Sequence, residues 1–136
     1  MQTKAGGTPR RKLVAIVDDD ALIRETLHDL LDSAGHASAT FASAQGLLRS
    51  RRLGSFACLI TDMRMPRTSG IDLHLRLLAA GIDIPTILMT AYPDDAVRQR
   101  ATSAGILCYL PKPFTTEALL ACVDKALRRD AGRGHG

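Results

Sequence analysis

The chain has no tryptophan, two tyrosines and three phenylalanines in 136 residues. Without stacked aromatics the body of the chain offers no platform on which single-stranded bases could lie. Cysteine is equally scarce. Cys58, Cys108 and Cys122 are odd in number and lack CxxC spacing, which argues against a disulfide framework or a zinc site. They read as small core residues of a protein kept in a reducing cytoplasm. The four histidines, His28, His36, His74 and His135, show no metal-ligand spacing either. No apolar run approaches the ~20 residues of a membrane span. No apolar stretch with a cleavage site follows the basic start, so neither an anchor nor a secretory signal is expected.

Positive charge is present but concentrated. Against a net charge of +4, residues 1–12 hold Lys4, Arg10, Arg11 and Lys12, and residues 128–136 hold Arg128, Arg129 and Arg133 beside Asp130. These flanks carry seven positive charges and one negative, so the body between them is left two units negative. Basic, Gly-rich ends read as solvated tails over 1–12 and 130–136, around one domain at 13–129. Direct nucleic-acid binding by that domain is not expected.

Two kinds of segment alternate along the body. Leu13–Val17 is a short apolar run ending in three aspartates and reads as a buried strand. Leu22, Ile23, Leu27, Leu30 and Leu31 follow at helical spacing, with Asp20 as N-cap and Gly35 as stop. A weaker strand at Ala37–Phe41 leads to a helix from Ser43. Phe56–Thr61 is a second continuous apolar run, followed by Asp62, a loop with Pro66 and Gly70, and a helix through Leu73, Leu75, Leu77 and Leu78. Pro85–Thr90 is a strand, and its helix opens near Pro93 and closes at Gly105. Ile106–Leu110 is the fifth strand, and a helix from Thr115 to Arg128 completes the series.

Five β–α units with nearly all-apolar strands require a parallel sheet covered on both faces. The expected fold is α/β, a doubly wound five-stranded parallel sheet of order 2-1-3-4-5, the flavodoxin-like (βα)5 arrangement. Ligands in such sheets bind outside the carboxyl ends of the strands. Asp18 and Asp19 fall past the first strand, Asp62 past the third, Thr90 ends the fourth, and Lys112 lies past the fifth. Clustered carboxylates repel unless protonated or bridged by a cation. Oxygen-only ligands select a hard ion such as Mg²⁺, which takes one or two carboxylates and leaves places for phosphoryl oxygens. The residues therefore describe a metal-assisted site for aspartyl-phosphate chemistry.

Val17-Asp18-Asp19-Asp20, Thr61-Asp62-Met63-Arg64-Met65-Pro66 with Ser69-Gly70, Met89-Thr90-Ala91, and Tyr109-Leu110-Pro111-Lys112-Pro113-Phe114 resemble the receiver domains of two-component response regulators, the CheY-like superfamily. The stretch from Thr61 to Gly70 is most similar to receivers of the FixJ/LuxR type. The resemblance spans residues 13–127, and it implies roles. Asp62 would be the phosphate acceptor. Asp19 and Asp62 would ligate Mg²⁺, joined by the Arg64 backbone carbonyl, with Asp18 acting through water. Lys112 would pair with the aspartate or phosphoryl oxygens, and the Lys112–Pro113 bond would be cis. Thr90 and Tyr109 would form the switch pair, acting on the face of helix four, strand five and helix five. Arg64 and Tyr92 would border access to the acyl phosphate.

The same resemblance implies a sensor histidine kinase or phosphotransfer protein as donor, and a phosphorylation-dependent homodimer or a downstream protein as output. The chain would be a switch, not an enzyme, with weak Mg²⁺-dependent self-phosphorylation and autodephosphorylation. No helix-turn-helix output domain is expected in the remaining length, which leaves either a stand-alone receiver acting through protein contacts or a receiver separated from its output region. The enzyme alternative reads Asp18-Asp19-Asp20 as the DxD motif of a haloacid-dehalogenase-like phosphatase with Asp18 as nucleophile. A third reading is a receiver that binds partners without phosphorylation.

Overall fold

Alternate residues of the first strand go to opposite faces, and that alternation sets the architecture. β1 (Leu13–Val17) buries Val14 and Ile16 in one helix layer and Ala15 and Val17 in the other, the period of two that a pleated strand imposes. The structure, a computed structural model, describes residues 13–133. After β1 come α1 (Ala21–Ser33), β2 (Ala37–Phe41), α2 (Ala44–Leu48), β3 (Phe56–Asp62), α3 (Gly70–Ala79), β4 (Thr86–Thr90), α4 (Asp95–Ser103), β5 (Cys108–Pro111) and α5 (Thr116–Arg133). The five strands are parallel and ordered 2-1-3-4-5, as expected.

Leu27 and Leu31 of α1 join Leu119 and Val123 of α5 over one face of the sheet. Leu47 of α2 and Leu73 and Leu77 of α3 cover the other. Leu75 and Leu78 fall on the exposed side of α3, so only half of that helix's leucines serve the core. Ala101 of α4 packs with Ile71 and Leu88 in a smaller cluster that half-buried Tyr109 also touches. All three cysteines are free thiols. Cys58 is fully buried, and desolvation pushes the Cys108 thiol up to about 12, so it behaves as core packing.

Each of the five α-helices starts on a side-chain cap close to a strand's carboxyl end. Asp20 accepts from Leu22 N–H, Ser43 from Gly46, Ser69 from Asp72, Asp94 from Ala96 and Val97, and Thr115 from Ala118. These caps fix where the chain turns, and the turns line the crevice.

Some boundaries differ from expectation. α4 begins at Asp95, with Pro93 ahead of its cap, and β5 covers Cys108–Pro111 where Ile106–Leu110 was expected. The loop after β3 contains a two-residue antiparallel ribbon, Arg64–Met65 with Thr68–Ser69. α5 runs on to Arg133, so residues 130–133, expected as tail, are helical. Just before this extension Arg128 pairs with Asp124 one turn earlier, and Arg129 with Asp83 of the α3–β4 loop at 3.5 Å. The tails expected at 1–12 and 134–136 lie outside the described residues.

His74 of α3 is 2% exposed. Its Nε2 lies 2.9 Å from the Ala104 carbonyl and its Nδ1 2.8 Å from Thr86 Oγ1. A carbonyl only accepts, so Nε2 carries the proton of the neutral ring, while the one Thr86 hydroxyl proton is shared between His74 Nδ1 and the Ile84 carbonyl 2.9 Å away. Burial holds its pKa below the ordinary 6.5, opposed by the Ala104 bond and Asp83 and aided by Arg129. The unfolded chain therefore takes up this proton first as pH falls. His74's contribution is complete above 6.5 and is lost progressively below it. Urea unfolding at about pH 7.5 and about pH 5.5 should show lower stability at the acidic value, with a smaller difference in His74→Gln. An unchanged difference in the variant would remove His74 from this role.

Candidate functional site

β3 is the centre of the site because it lies between β1 and β4. Asp62, its last residue, pairs in register with Met89, so Thr90 is the next position on β4. Thr90 in turn pairs with Pro111, and its carbonyl accepts from Lys112 N–H at 2.7 Å. The sheet thus draws together residues that are 50 apart in sequence: Lys112 Nζ donates to Asp62 Oδ1 at 2.8 Å. The same ammonium is 3.8 Å from Asp18 Oδ2. Asp62 Oδ2 accepts from Arg64 N–H at 3.0 Å, so both oxygens of this carboxylate are oriented by donors.

The two adjacent acids after β1 differ sharply. Asp18 is 2% exposed and Asp19 is exposed. Asp18 Oδ1 accepts from Asp20 N–H at 2.9 Å, while the buried Oδ2 has no hydrogen-bond partner. Desolvation raises the Asp18 pKa above its ordinary value, opposed by the Asp20 bond, with Asp62 and Asp19 adding repulsion and Lys112 attraction. An orphaned, desolvated carboxylate oxygen beside a second carboxylate is a place where a cation would be stabilised. Among the described residues no three His, Cys, Asp or Glu side chains cluster into a cage. Mg²⁺ needs none, since it takes one or two carboxylates and keeps several waters. The donor set therefore fits that ion.

Thr90 is buried, and its Oγ1 accepts from Tyr92 N–H at 3.1 Å. Tyr109 Oη accepts from Asp94 N–H at 3.1 Å, which ties the β5 ring to the cap of α4. The Lys112–Pro113 bond is cis.

Three features were missed in the sequence. Arg24, on the second turn of α1, donates from Nη1 to the Asp18 carbonyl at 2.7 Å and braces the acid loop. Its position one helical turn after the cap Asp20 was the available signal. The Arg64 guanidinium lies 4.8 Å from the centroid of the Tyr92 ring, a cation–π contact two residues on from Asp62. Gly70, at the start of α3, has no room for a side chain: a Cβ would sit 2.5 Å from the Asp62 carbonyl.

Strand-end acids sharing one lysine in a 2-1-3-4-5 sheet define a class of α/β domain with its site at the carboxyl edge of the sheet. The chain belongs to the response regulator receiver domain family, whose model matches residues 14–124. Within it, the chain is similar to the transcriptional regulatory protein FixJ of Bradyrhizobium diazoefficiens, at 36% identity over 116 residues that cover 85% of this chain and 57% of FixJ. Among solved structures it resembles the response regulator StyR, with a TM-score of 0.84, 42% identity and coverage of 91% of this chain and 63% of that one. FixJ-N, with a TM-score of 0.79 and 30% identity, is matched over 88% of this chain and 96% of its own. The chain spans roughly half to three fifths of the length of the curated relatives it matches. The family is that of two-component systems, in which a histidine kinase is the partner and receivers are in general Mg²⁺-dependent. Among the described residues no helix is long and apolar enough to cross a membrane.

Proposed function

We propose that the chain is a phosphoacceptor switch in which Asp62 receives a phosphoryl group from the phosphohistidine of a cytoplasmic sensor kinase or phosphotransfer protein. The observation that carries this reading is the pair of contacts from one ammonium: Lys112 Nζ at 2.8 Å from Asp62 and 3.8 Å from Asp18. In the transfer, an Asp62 oxygen forms the new P–O bond as the P–N bond breaks, and its electron pair returns to the imidazole nitrogen. Arg64 N–H and Lys112 Nζ orient the carboxylate for that attack. Asp19, Asp62 and the Arg64 carbonyl would hold Mg²⁺, with Asp18 acting through water. The ion would offset the repulsion of the acids and stabilise charge on the phosphoryl oxygens.

Phosphorylation adds about −1.5 to −2 charges and three acceptor oxygens. Lys112 neutralises part of that charge. Thr90 gains a partner stronger than Tyr92 N–H, and Tyr109 exchanges its bond to Asp94 for a second packing. The α4–β5–α5 face is then presented to a second copy or a downstream protein. Each exchanged hydrogen bond is worth only about 1 kcal/mol, whereas a 1:99 to 99:1 shift needs ~5.5 kcal/mol. The phosphoryl–ammonium contact must therefore supply most of the bias. The test is incubation with acetyl phosphate, with and without Mg²⁺, and mapping of the modified residue. Label on Asp62 is expected. Label on Asp18 or no label would overturn the proposal.

The Arg64–Tyr92 stack covers the approach of water to the acceptor, so the acyl phosphate should be long-lived. A stack at an exposed site is worth about 0.5–1 kcal/mol. Decay of labelled protein should accordingly be about two- to fivefold faster in Arg64→Ala and in Tyr92→Ala. Unchanged decay in both variants would exclude shielding.

A further inference from the structure

We propose that the cleft between α2 and the ribbon after β3 is a binding site for a small, doubly charged anion, recognised by Arg67 and Arg76. The cavity, of about 470 Å³, is lined by Ser43, Gln45, Pro66, Arg67, Thr68 and Arg76 among others, within the size range of small-molecule sites. It contains two guanidinium-bearing residues and no acidic residue. Among the described residues neither arginine has a side-chain hydrogen bond or an ion pair, although Asp72 lies one turn before Arg76 on the same helix. Ser43 Oγ accepts from Gly46 N–H, which leaves its hydroxyl proton free to donate.

The backbone sets where Arg67 stands. Arg67 has φ 73°, the sole positive φ of a non-glycine residue among those described. This left-handed conformation is costly for any residue with a Cβ and is the natural place for glycine. Pro66 and Arg67 are the central residues of the turn that closes the ribbon, and a type II turn with proline first requires a positive φ second, so the turn fixes Arg67 at the rim of the acid-free cleft. Guanidinium pairs match phosphate and carboxylate anions through paired donors. An anion gripped here would hold the same ribbon that carries Arg64. Neither the three acids nor Lys112 lines the cleft, so the inference stands apart from the phosphoacceptor reading.

The test uses the full chain without Mg²⁺, titrated at constant ionic strength with inorganic phosphate and, separately, with succinate, while backbone amide resonances are followed. Saturable shifts at Ser43, Arg67 and Thr68 with a Kd of about 1 mM or tighter are expected for at least one probe, and the stronger response identifies the phosphate or dicarboxylate source. Arg76→Gln and Arg67→Gly should each weaken binding by about tenfold or more. Arg67→Gly should at the same time melt about 2–4 °C higher than the parent, because glycine relieves the backbone. Absence of saturable binding by both probes, or binding unchanged in both variants, would overturn the proposal. A drop in melting temperature for Arg67→Gly would overturn the strain argument with it.

Discussion

Asp62→Asn should abolish Mg²⁺-dependent phosphoryl labelling and yet leave the fold within about 1 kcal/mol of the parent. The substitution is isosteric, so the cost comes only from donor–acceptor matching. The carboxylate accepts from Lys112 Nζ on Oδ1 and from Arg64 N–H on Oδ2. An amide keeps one of these bonds and turns an N–H toward the other donor. Against that loss stands relief of the repulsion between Asp62 and the buried Asp18. The melting temperature should therefore move by no more than about 4 °C. The chemistry has no such compensation, because an amide oxygen is a poor phosphoryl acceptor. Mass spectrometry of the acetyl-phosphate-treated protein checks the labelling, and thermal melting checks the fold. Persistent label at the parent's stoichiometry would move the acceptor elsewhere, and label on Asp18 would favour the phosphatase-like alternative.

Gly70→Ala should be among the most damaging single-methyl substitutions in the molecule. The new Cβ would lie 2.5 Å from the Asp62 carbonyl oxygen, 2.5 Å from Leu88 Cδ1 and 3.0 Å from Thr61 Cγ2. Leu88 can rotate, but the Asp62 carbonyl is backbone and cannot. Overpacking of this kind costs about 1–3 kcal/mol, read as a melting temperature lower by roughly 5–10 °C. The displacement falls on the acceptor's own peptide, so labelling of Asp62 should slow as well. Gly54→Ala is the control, since a Cβ there meets nothing within 4 Å and φ is unexceptional. If both variants melt together, the close approach at Gly70 is not what fixes α3 against the acceptor.

Much of this was legible in the amino-acid order because the relevant signals are local. Apolar runs with period two or 3.6 identify strands and helices, and the cap Asp20 occurs where it was expected. Strand ends are likewise local features, which is why Asp18, Asp19, Asp62, Thr90 and Lys112 could be assigned to one rim. Boundaries were less legible where distant contacts decide them. The last turns of α5 carry Arg129, which reaches Asp83, 46 residues away, a contact that no local pattern announces.

By itself the sequence determined the alternation of elements, the order of the sheet and the set of acids brought to its carboxyl edge. Only the tertiary structure decided which of two neighbouring aspartates is desolvated, that Arg24 braces the acid loop, that Arg64 stacks on Tyr92, and that Gly70 abuts the Asp62 carbonyl. Each of these depends on packing between segments far apart in the chain. Hydrophobic periodicity says which face of an element is buried, but burial of a single charge is set by whatever neighbour the sheet brings against it.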